Sequence, residues 1–332
     1  SYNLDILRIF SMAAVLLVHL GQTVFFPDAL VRFTYWGQYG VQIFFVLSGY
    51  LAAQTYGNGK EKIGTYYKKR IIRILPSYYL AIVCAIIVNR AMGISLPEDP
   101  FHLGWLRYFL GLNMIFPSND FFVWNNAYGW WTMGSFIGFY ALVPLLFKAI
   151  DSFKKALFAI PVTFIISIVW KYIYQFMFQI ESFDNTYVTI AGGILGTLSQ
   201  FTIGICVYFV VKEKKIGEGL LLNGSILMGA FILQKENYLW CAIAGILIIA
   251  VQFIGTEKVS PKQKAIIKFC SQQSYYIYLV HLIVIQILNQ VEWFTNNTIG
   301  VLLYFIVFAV VVMLLSMILR ISDIAIKKYV IK

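Results

Sequence analysis

Apolar segments about 20 residues long recur along nearly the whole sequence and alternate with short segments that hold most of the charged residues. A helix needs about 20 apolar residues to cross the hydrocarbon core of a bilayer. The pattern predicts an all-α, polytopic membrane protein with ten transmembrane helices in one bundle, forming a single domain over 1–332. The predicted spans are 4–24, 38–56, 74–93, 129–148, 156–178, 188–211, 217–234, 238–255, 266–288 and 298–320.

The composition supports a membrane protein and argues against a large soluble domain. Of the 332 residues, 60% are hydrophobic and 12% are charged, whereas soluble domains carry about 25% charged residues. The first apolar segment is too long for the apolar part of a signal peptide, so we interpret it as a retained helix. The cysteines have no metal-ligand spacing, and we expect them to be small core residues. They are Cys84, Cys206, Cys241 and Cys270.

The net charge of +11 is better explained by membrane topology than by binding to nucleic acid. The basic residues of the chain fall in short loops between the predicted spans. If both termini lie in the cytoplasm, every loop agrees with the positive-inside rule. The lysines and arginines that then fall on the outer side, or in the outer half of a span, are Arg32, Arg90, Arg107, Lys171 and Lys235.

The first span contains two polar side chains, Arg8 and His19, in a nearly continuous apolar stretch. At about 100° per residue their spacing places both on one face of a helix, about 16 Å apart along its axis. Burying an arginine at the centre of a bilayer costs at least about 2.5–3.5 kcal/mol, so such a residue is rarely there without a role. We predict that this pair lines a polar pathway through the bundle.

His19 and His281 lie at similar depths in the outer half of the membrane when depth is counted along spans one and nine. A neutral imidazole exchanges a proton near neutral pH, so either histidine is a candidate general base. Structural roles are the alternative. His281 could bond or stack between helices, and Arg8 could form a pair with Asp5, three residues earlier on the same face. Such a pair is compatible with a functional role.

Four further residues are candidate binding residues, each with a structural alternative. Arg70 and Arg73, three apart at the inner mouth of span three, could present two guanidinium groups to phosphates, or could anchor the loop to lipid headgroups. Ser48 could be a nucleophile or a polar contact, although a Ser-Gly pair such as Ser48-Gly49 more often permits close helix packing. Trp131 could stack on a sugar ring or belong to an aromatic belt.

These residues belong to an ordered series of short motifs. The motifs are an Arg and a His separated by ten residues, a Gly-Val-x-Ile-Phe-Phe-x-Leu-Ser-Gly-aromatic signature, an Arg-x-x-Arg-x-x-Pro run, a Trp-Tyr-Pro segment and a Ser-Tyr-x-x-Tyr-Leu-x-His element. The ordered series resembles acyltransferase family 3, membrane O-acyltransferases that modify bacterial surface glycans. The matching positions are Arg8 and His19, the segment 40–50, Arg70, Arg73 and Pro76, then Trp131, Tyr140 and Pro144, and finally Ser274, Tyr275, Tyr278, Leu279 and His281.

The resemblance implies an enzyme that moves an acyl group, acetyl in the simplest case, from cytosolic acyl-CoA to a hydroxyl of a cell-surface or lipid-linked glycan. His19 would be the general base with Arg8, and Arg70 and Arg73 would bind the CoA phosphates. The residues expected to contact the substrates are Ser48, Trp131, Tyr275 and His281.

The resemblance also sets the expected partners and location. Acyl-CoA (acetyl-CoA) is the expected co-substrate, with no bound cofactor, no metal and no nucleic acid. The protein would contact membrane lipid as a multi-pass protein of the bacterial cytoplasmic (inner) membrane, with both termini cytoplasmic. Its oligomeric state stays open, a homo-oligomer included.

One position departs from the family pattern. Many members carry a Glu five residues after the Trp of the fourth motif, where this sequence has Phe136. The mechanism would then use His19 with Arg8, or another acid such as Asp5 or Asp120. The alternative function is a non-catalytic transporter or sensor that uses the same polar pathway for a glycan or small solute.

Overall fold

The computed structural model describes residues 2–23, 28–57, 61–95, 102–112, 128–178, 193–291 and 298–330. Within these residues the chain forms helices and no strands, so the predicted all-α fold is confirmed. The α-helices are α1 (Tyr2–Thr23), α2 (Asp28–Tyr35), α3 (Gly40–Tyr56), α4 (Ile63–Ala91), α5 (Leu106–Phe109), α6 (Trp131–Ala149), α7 (Phe153–Phe178), α8 (Gly193–Lys212), α9 (Ile216–Ile232), α10 (Glu236–Ala250), α11 (Pro261–Leu288) and α12 (Thr298–Val330).

Six of the described helices are long and apolar enough to cross a membrane, so the predicted count of ten spans is not confirmed. Helices α3, α9, α10 and α11 overlap predicted spans but are not among these six. Helices α9 and α10 have 17 and 15 residues, fewer than the ~20 that a span needs, and α11 begins with a lysine-rich stretch. The six candidate spans are Tyr2–Gln22, Ile63–Ala91, Trp131–Ala149, Phe153–Met177, Gly193–Lys212 and Ile299–Tyr329.

Helices α7 and α12 turn large apolar side chains outward, as expected for surfaces that face lipid. Phe158 and Phe176 on α7 are exposed, and Ile299, Leu302 and Ile306 are exposed at the start of α12. Exposed apolar surface of this extent would be unstable against water and is stable against lipid. The described part of the chain is therefore a helical membrane protein.

Glycines on α3 and α8 allow these two helices to pack closely. A Cβ atom on Gly49 would lie 2.0 Å from the carbonyl oxygen of Phe201, and one on Gly204 would lie 1.9 Å from the carbonyl oxygen of Val46. Both positions therefore exclude every larger residue unless the helices separate. This is the small-residue packing that brings helices together in membranes, and it fixes the face of α3 that remains for the site.

Two clusters of buried apolar residues organise the helices. The first is centred on α3, α6 and α8 and includes Phe45, Phe139 and Phe201. The second is centred on α4, α11 and α12 and includes Tyr78 and Tyr304. Helix α1 contributes to both clusters, through Leu4 and Leu7 in the first and Met12 and Leu20 in the second. The space between these two clusters holds the candidate site.

The start of α11 shows how the sequence defines the helix that contributes most to this site. Ser260 is the N-cap, and its hydroxyl oxygen accepts a hydrogen bond from the backbone N–H of Gln263. The Gln263 side chain accepts one from the backbone N–H of Ser260, which completes a capping box. Pro261 occupies the first turn, where its missing N–H has no consequence. The helix then runs without a break to Leu288.

Candidate functional site

A cavity of about 590 Å³ lies between the two clusters and is lined by residues of α1, α3, α4, α6, α11 and α12. Five of its lining residues are cations. Among the described residues that line it there is no Asp and no Glu. We call this space the basic cavity, and its cations are Arg8, Arg70, Arg73, Arg320 and Lys327.

Arg8 is held at the cavity wall by a carboxylate behind it. Its Nη1 donates to Oδ1 of Asp5 at 3.1 Å, which is the pair that the sequence allowed. The same Asp5 oxygen accepts from the hydroxyl of Ser271 on α11 at 2.6 Å. Two hydrogen bonds to one oxygen fix the carboxylate between α1 and α11, and this arrangement orients the guanidinium of Arg8.

Arg70 is positioned by aromatic rings and a hydroxyl. Its guanidinium carbon lies 5.2 Å from the centre of the Tyr66 ring and 5.0 Å from that of Tyr140. Nη2 donates to the hydroxyl of Thr55 at 2.8 Å. Contacts between a guanidinium and ring faces are attractive and fix its plane. Arg70 therefore has a defined orientation, whereas an anchoring arginine would extend freely to the headgroups.

The cations of α12 were not identified as site residues from the sequence. Arg320 donates from Nη2 to Oε1 of Gln272 at 2.9 Å and from Nη1 to Oε1 of Gln273 at 3.3 Å, both on α11. Lys327 donates to Oδ2 of Asp323 at 2.5 Å. The signal that could have revealed them is their spacing of seven residues, which places both on one helical face. In the sequence, however, both look like ordinary basic residues at the end of the last predicted span.

Ser48 and Tyr275 line the basic cavity, as does Phe136. The hydroxyl of Tyr275 donates to the backbone oxygen of Ile74 at 3.0 Å, which links α11 to α4 beside Arg73. Phe136 packs on the ring of Phe45, with centroids 5.3 Å apart. An aromatic ring thus fills the position where many family members carry a carboxylate.

His19 and His281 contact each other beside the basic cavity and are not among its lining residues. Their ring centroids are 5.2 Å apart. His281 is fully buried, and its Nδ1 lies 2.6 Å from the carbonyl oxygen of Tyr278. A carbonyl only accepts, so Nδ1 carries the proton. Nε2 of His281 has no hydrogen-bond partner among the described residues. The Nδ1 of His19 lies 3.2 Å from Oε1 of Gln22.

Tyr278 connects the basic cavity to this histidine pair. It lines the cavity, and its ring centroid is 5.6 Å from that of His281. Its hydroxyl donates to the backbone oxygen of Gly129 and lies 2.5 Å from the hydroxyl of Thr132, a second lining residue. The Tyr278 side chain therefore contacts both the cavity and His281. Thr132 was not a candidate in the sequence, and Tyr278 entered only as a motif residue.

Trp131, at the start of α6, contacts α3 and not the cavity. It packs edge-on against Phe45, with centroids 5.9 Å apart, and is not among the residues that line the basic cavity. In the described ranges, no cluster of three or more His, Cys, Asp or Glu side chains is placed to hold a metal. Asp120, the other acid considered from the sequence, lies outside the described residues.

The arrangement is suited to an anionic ligand with a reactive end. Five cations without a lining carboxylate favour phosphates, because guanidinium groups bind phosphate oxygens through charge-assisted hydrogen bonds. Much of the remaining wall is apolar, from residues such as Val15, Phe44, Leu47 and Met133. A ligand with a charged head and a less polar arm would match both parts.

Comparison with known families agrees with this geometry. The model of the Acyl_transf_3 family, described as an acyltransferase domain, matches residues 1–321. The chain belongs to this acyltransferase family. The match contains all the helices that line the basic cavity, except for the end of α12, which continues past residue 321. The motifs that suggested the family and the cavity therefore lie in the same region of the chain.

A curated relative points in the same direction. The chain is 25% identical over 150 residues to the acyltransferase MdmB of Streptomyces mycarofaciens, which covers 43% of this chain and 38% of that protein. The chain therefore matches well under half the length of this relative. No solved structure gives a significant match.

Proposed function

We propose that this protein is a membrane O-acyltransferase that moves an acyl group, acetyl in the simplest case, from cytosolic acyl-CoA to a hydroxyl of a cell-surface or lipid-linked glycan. The basic cavity is the observation that carries the proposal. Acyl-CoA combines several phosphates with an uncharged arm that ends in a thioester. A cavity with five cations, an apolar wall and a nearby imidazole pair offers each of these parts a suitable surface.

Arg70 and Arg73 bind the phosphates in this proposal. They lie one turn apart on α4, so their guanidinium groups can contact neighbouring phosphate oxygens. Arg70 is already oriented by Tyr66, Tyr140 and Thr55. Preorganised donors lose little conformational entropy on binding. Arg8, held by Asp5, adds a third charge deeper along α1.

The acyl arm then runs along the apolar wall toward Tyr278 and the histidines. His19 takes the proton from the acceptor hydroxyl, and the acceptor oxygen forms a new bond to the thioester carbonyl carbon. The carbon–sulfur bond breaks, and the sulfur leaves with the bonding electron pair. The proton held by His19 passes to that thiolate, so the products are an ester and free CoA.

No carboxylate assists His19 in this scheme. Asp5 is bonded to Arg8 and Ser271, and Phe136 fills the position of the family's Glu. His281 is the neighbour that orients the catalytic imidazole, since the two rings are in contact. The acceptor reaches the same place past Ser48, Tyr275 and, nearer the surface, Trp131.

The topology proposed with this function has ten spans and both termini in the cytoplasm of a bacterium. The six candidate spans and the four further helices, α3, α9, α10 and α11, overlap the ten predicted spans in sequence, which supports the proposal. Positive-inside bias supports the orientation. It places Arg70 and Arg73 at the cytosolic side, where acyl-CoA is available, and His19 farther out.

The test compares wild-type protein with His19→Ala in membranes that contain equal amounts of each. Membranes from a bacterial host are incubated with radiolabelled acetyl-CoA, and label in the base-labile ester fraction of envelope glycans is counted. We expect label with the wild type and background with His19→Ala. Equal label in both would remove His19 from the reaction. Absence of donor binding by purified wild type, with saturable binding of a small solute, would instead favour the transporter or sensor.

A further inference from the structure

The last helix brings two cations to the basic cavity that neither the motifs nor the proposed reaction require. Arg320 and Lys327 on α12 line the cavity together with Ile324. The family match ends at residue 321, so Lys327 lies beyond it. The ordinary explanation of basic residues at the end of a final span is anchoring to headgroups. Their contacts distinguish them from such anchors.

Arg320 is held in place by neutral partners. Two of its nitrogens donate to the side chains of Gln272 and Gln273, and its guanidinium carbon lies 5.0 Å from the centre of the Phe269 ring. All three partners belong to α11. The guanidinium is therefore held on the cavity wall without a carboxylate in any of these contacts.

Lys327 is fixed by a buried acid and retains capacity for a ligand. Its ammonium donates to Oδ2 of Asp323 at 2.5 Å and to the backbone oxygen of Arg73 at 3.3 Å. An ammonium has three N–H donors, so one remains. Asp323 is fully buried and also accepts from the hydroxyl of Tyr276 at 2.7 Å. The bond to Arg73 connects α12 to the arginines of α4.

Lys328 provides the internal comparison. It follows Lys327 directly and carries the same charge, but it is exposed and is not among the residues that line the cavity. Lys328 has the position expected of a headgroup anchor. Lys327 has the position expected of a binding residue.

We propose that Arg320 and Lys327 are phosphate-binding residues for the donor, so that α12 completes the anion site beside Arg70 and Arg73. The inference rests on the proposed function, because it takes acyl-CoA as the ligand. A phosphate-bearing lipid has the same chemistry at its headgroup, and the test separates these two sources. The prediction is that donor affinity depends on α12 as well as on α4.

The test measures equilibrium binding of radiolabelled acetyl-CoA to the full chain in nanodiscs of neutral phosphatidylcholine. We expect Arg320→Gln and Lys327→Gln each to weaken binding roughly tenfold or more, as for loss of one charge-assisted hydrogen bond. Lys328→Gln is the matched control and should bind as the wild type does. Because Lys327→Gln leaves Asp323 without its cation, the double variant Asp323→Asn/Lys327→Gln is measured as well and should bind as weakly as Lys327→Gln.

Three results have distinct meanings. If the wild type and Arg70→Gln differ in acetyl-CoA binding while both α12 variants equal the wild type, this inference fails and the proposed function stands. If the wild type does not bind acetyl-CoA, the proposed function itself fails and this inference fails with it. If the α12 variants lose only a stimulation by added phosphatidylglycerol, the two residues bind lipid and the inference is overturned.

Discussion

The imidazole rings of His19 on α1 and His281 on α11 lie with their centroids 5.2 Å apart and their planes inclined by 38°. The proton on Nδ1 of His281 is committed to the carbonyl oxygen of Tyr278. The other nitrogen, Nε2, has no hydrogen-bond partner in the described part of the chain. A buried acceptor without a partner is costly, and it is the kind of feature that a bound substrate hydroxyl would satisfy.

Replacing His19 with Ala should lower acyl transfer by about 10²–10⁴-fold, the usual contribution of a general base. His281→Gln should reduce transfer by less, because in the proposed scheme His281 orients the base and contacts the substrate hydroxyl but does not take its proton. Affinity for acetyl-CoA should stay within twofold for both variants, since neither residue lines the basic cavity. Transfer rates and binding are measured on the same preparations.

The control for these variants is His102→Gln, which changes the remaining histidine of the sequence. His102 is exposed and does not line the basic cavity. Transfer by this variant should match the wild type. A loss as large as that of His19→Ala would show that the assay responds to something other than the buried pair.

Arg70→Lys should weaken donor binding roughly tenfold or more, although the charge is kept. A lysine cannot form the two-pronged contact to phosphate or lie flat between the rings of Tyr66 and Tyr140. Lys68→Gln removes a charge from an exposed position two residues away and should leave binding unchanged. Equal binding by Arg70→Lys and wild type would indicate that only the net charge of this segment matters.

Gly204→Ala should destabilise the protein by about 1–3 kcal/mol, because its methyl group would lie 1.9 Å from the carbonyl oxygen of Val46. Gly224 on α9 offers the matched control, since a Cβ there meets no atom within 4 Å. Gly224→Ala should be neutral or stabilising, as alanine favours helices over glycine. Thermal unfolding in detergent measures both. A higher melting temperature for Gly204→Ala than for wild type would contradict the close contact.

Phe136→Glu should lower the melting temperature and should not increase acyl transfer. The carboxylate would replace a ring that packs on Phe45 and Phe201, and loss of this aromatic packing is destabilising. It would also attract the cations that the donor needs. Phe136→Leu keeps the site apolar and serves as the control. Faster transfer by Phe136→Glu would show that a carboxylate at this position assists the reaction, which would contradict the proposed scheme.

Much of the site could be predicted from helical periodicity. Arg8, Arg70 and Arg73 lie in one cavity because each faces inward from a helix whose register the sequence defines. Counting residues along each span predicted that His19 and His281 lie at the same depth in the membrane, and their rings are in contact. That contact also needs a particular rotation of α1 against α11, which is decided by side-chain packing and not by either helix alone.

The features that sequence reasoning missed depend on contacts between distant helices. In the sequence, Arg320 and Lys327 resemble the basic residues that commonly follow a last span. Only the packing of α12 against α11 shows that they face the cavity. The predicted count of ten spans is not confirmed for a different reason. Helices α9 and α10 are apolar but have only 17 and 15 residues, fewer than the ~20 that a span needs, and the apolar pattern of the sequence did not show how short they are.

The most direct test is an experimental structure of the protein with acetyl-CoA bound. The account predicts phosphate oxygens within hydrogen-bond distance of Arg70 and Arg73, and the thioester carbonyl on the side of the basic cavity where Tyr278 leads to His19. Phosphates bound elsewhere, or a thioester separated from His19 by packed side chains, would contradict it.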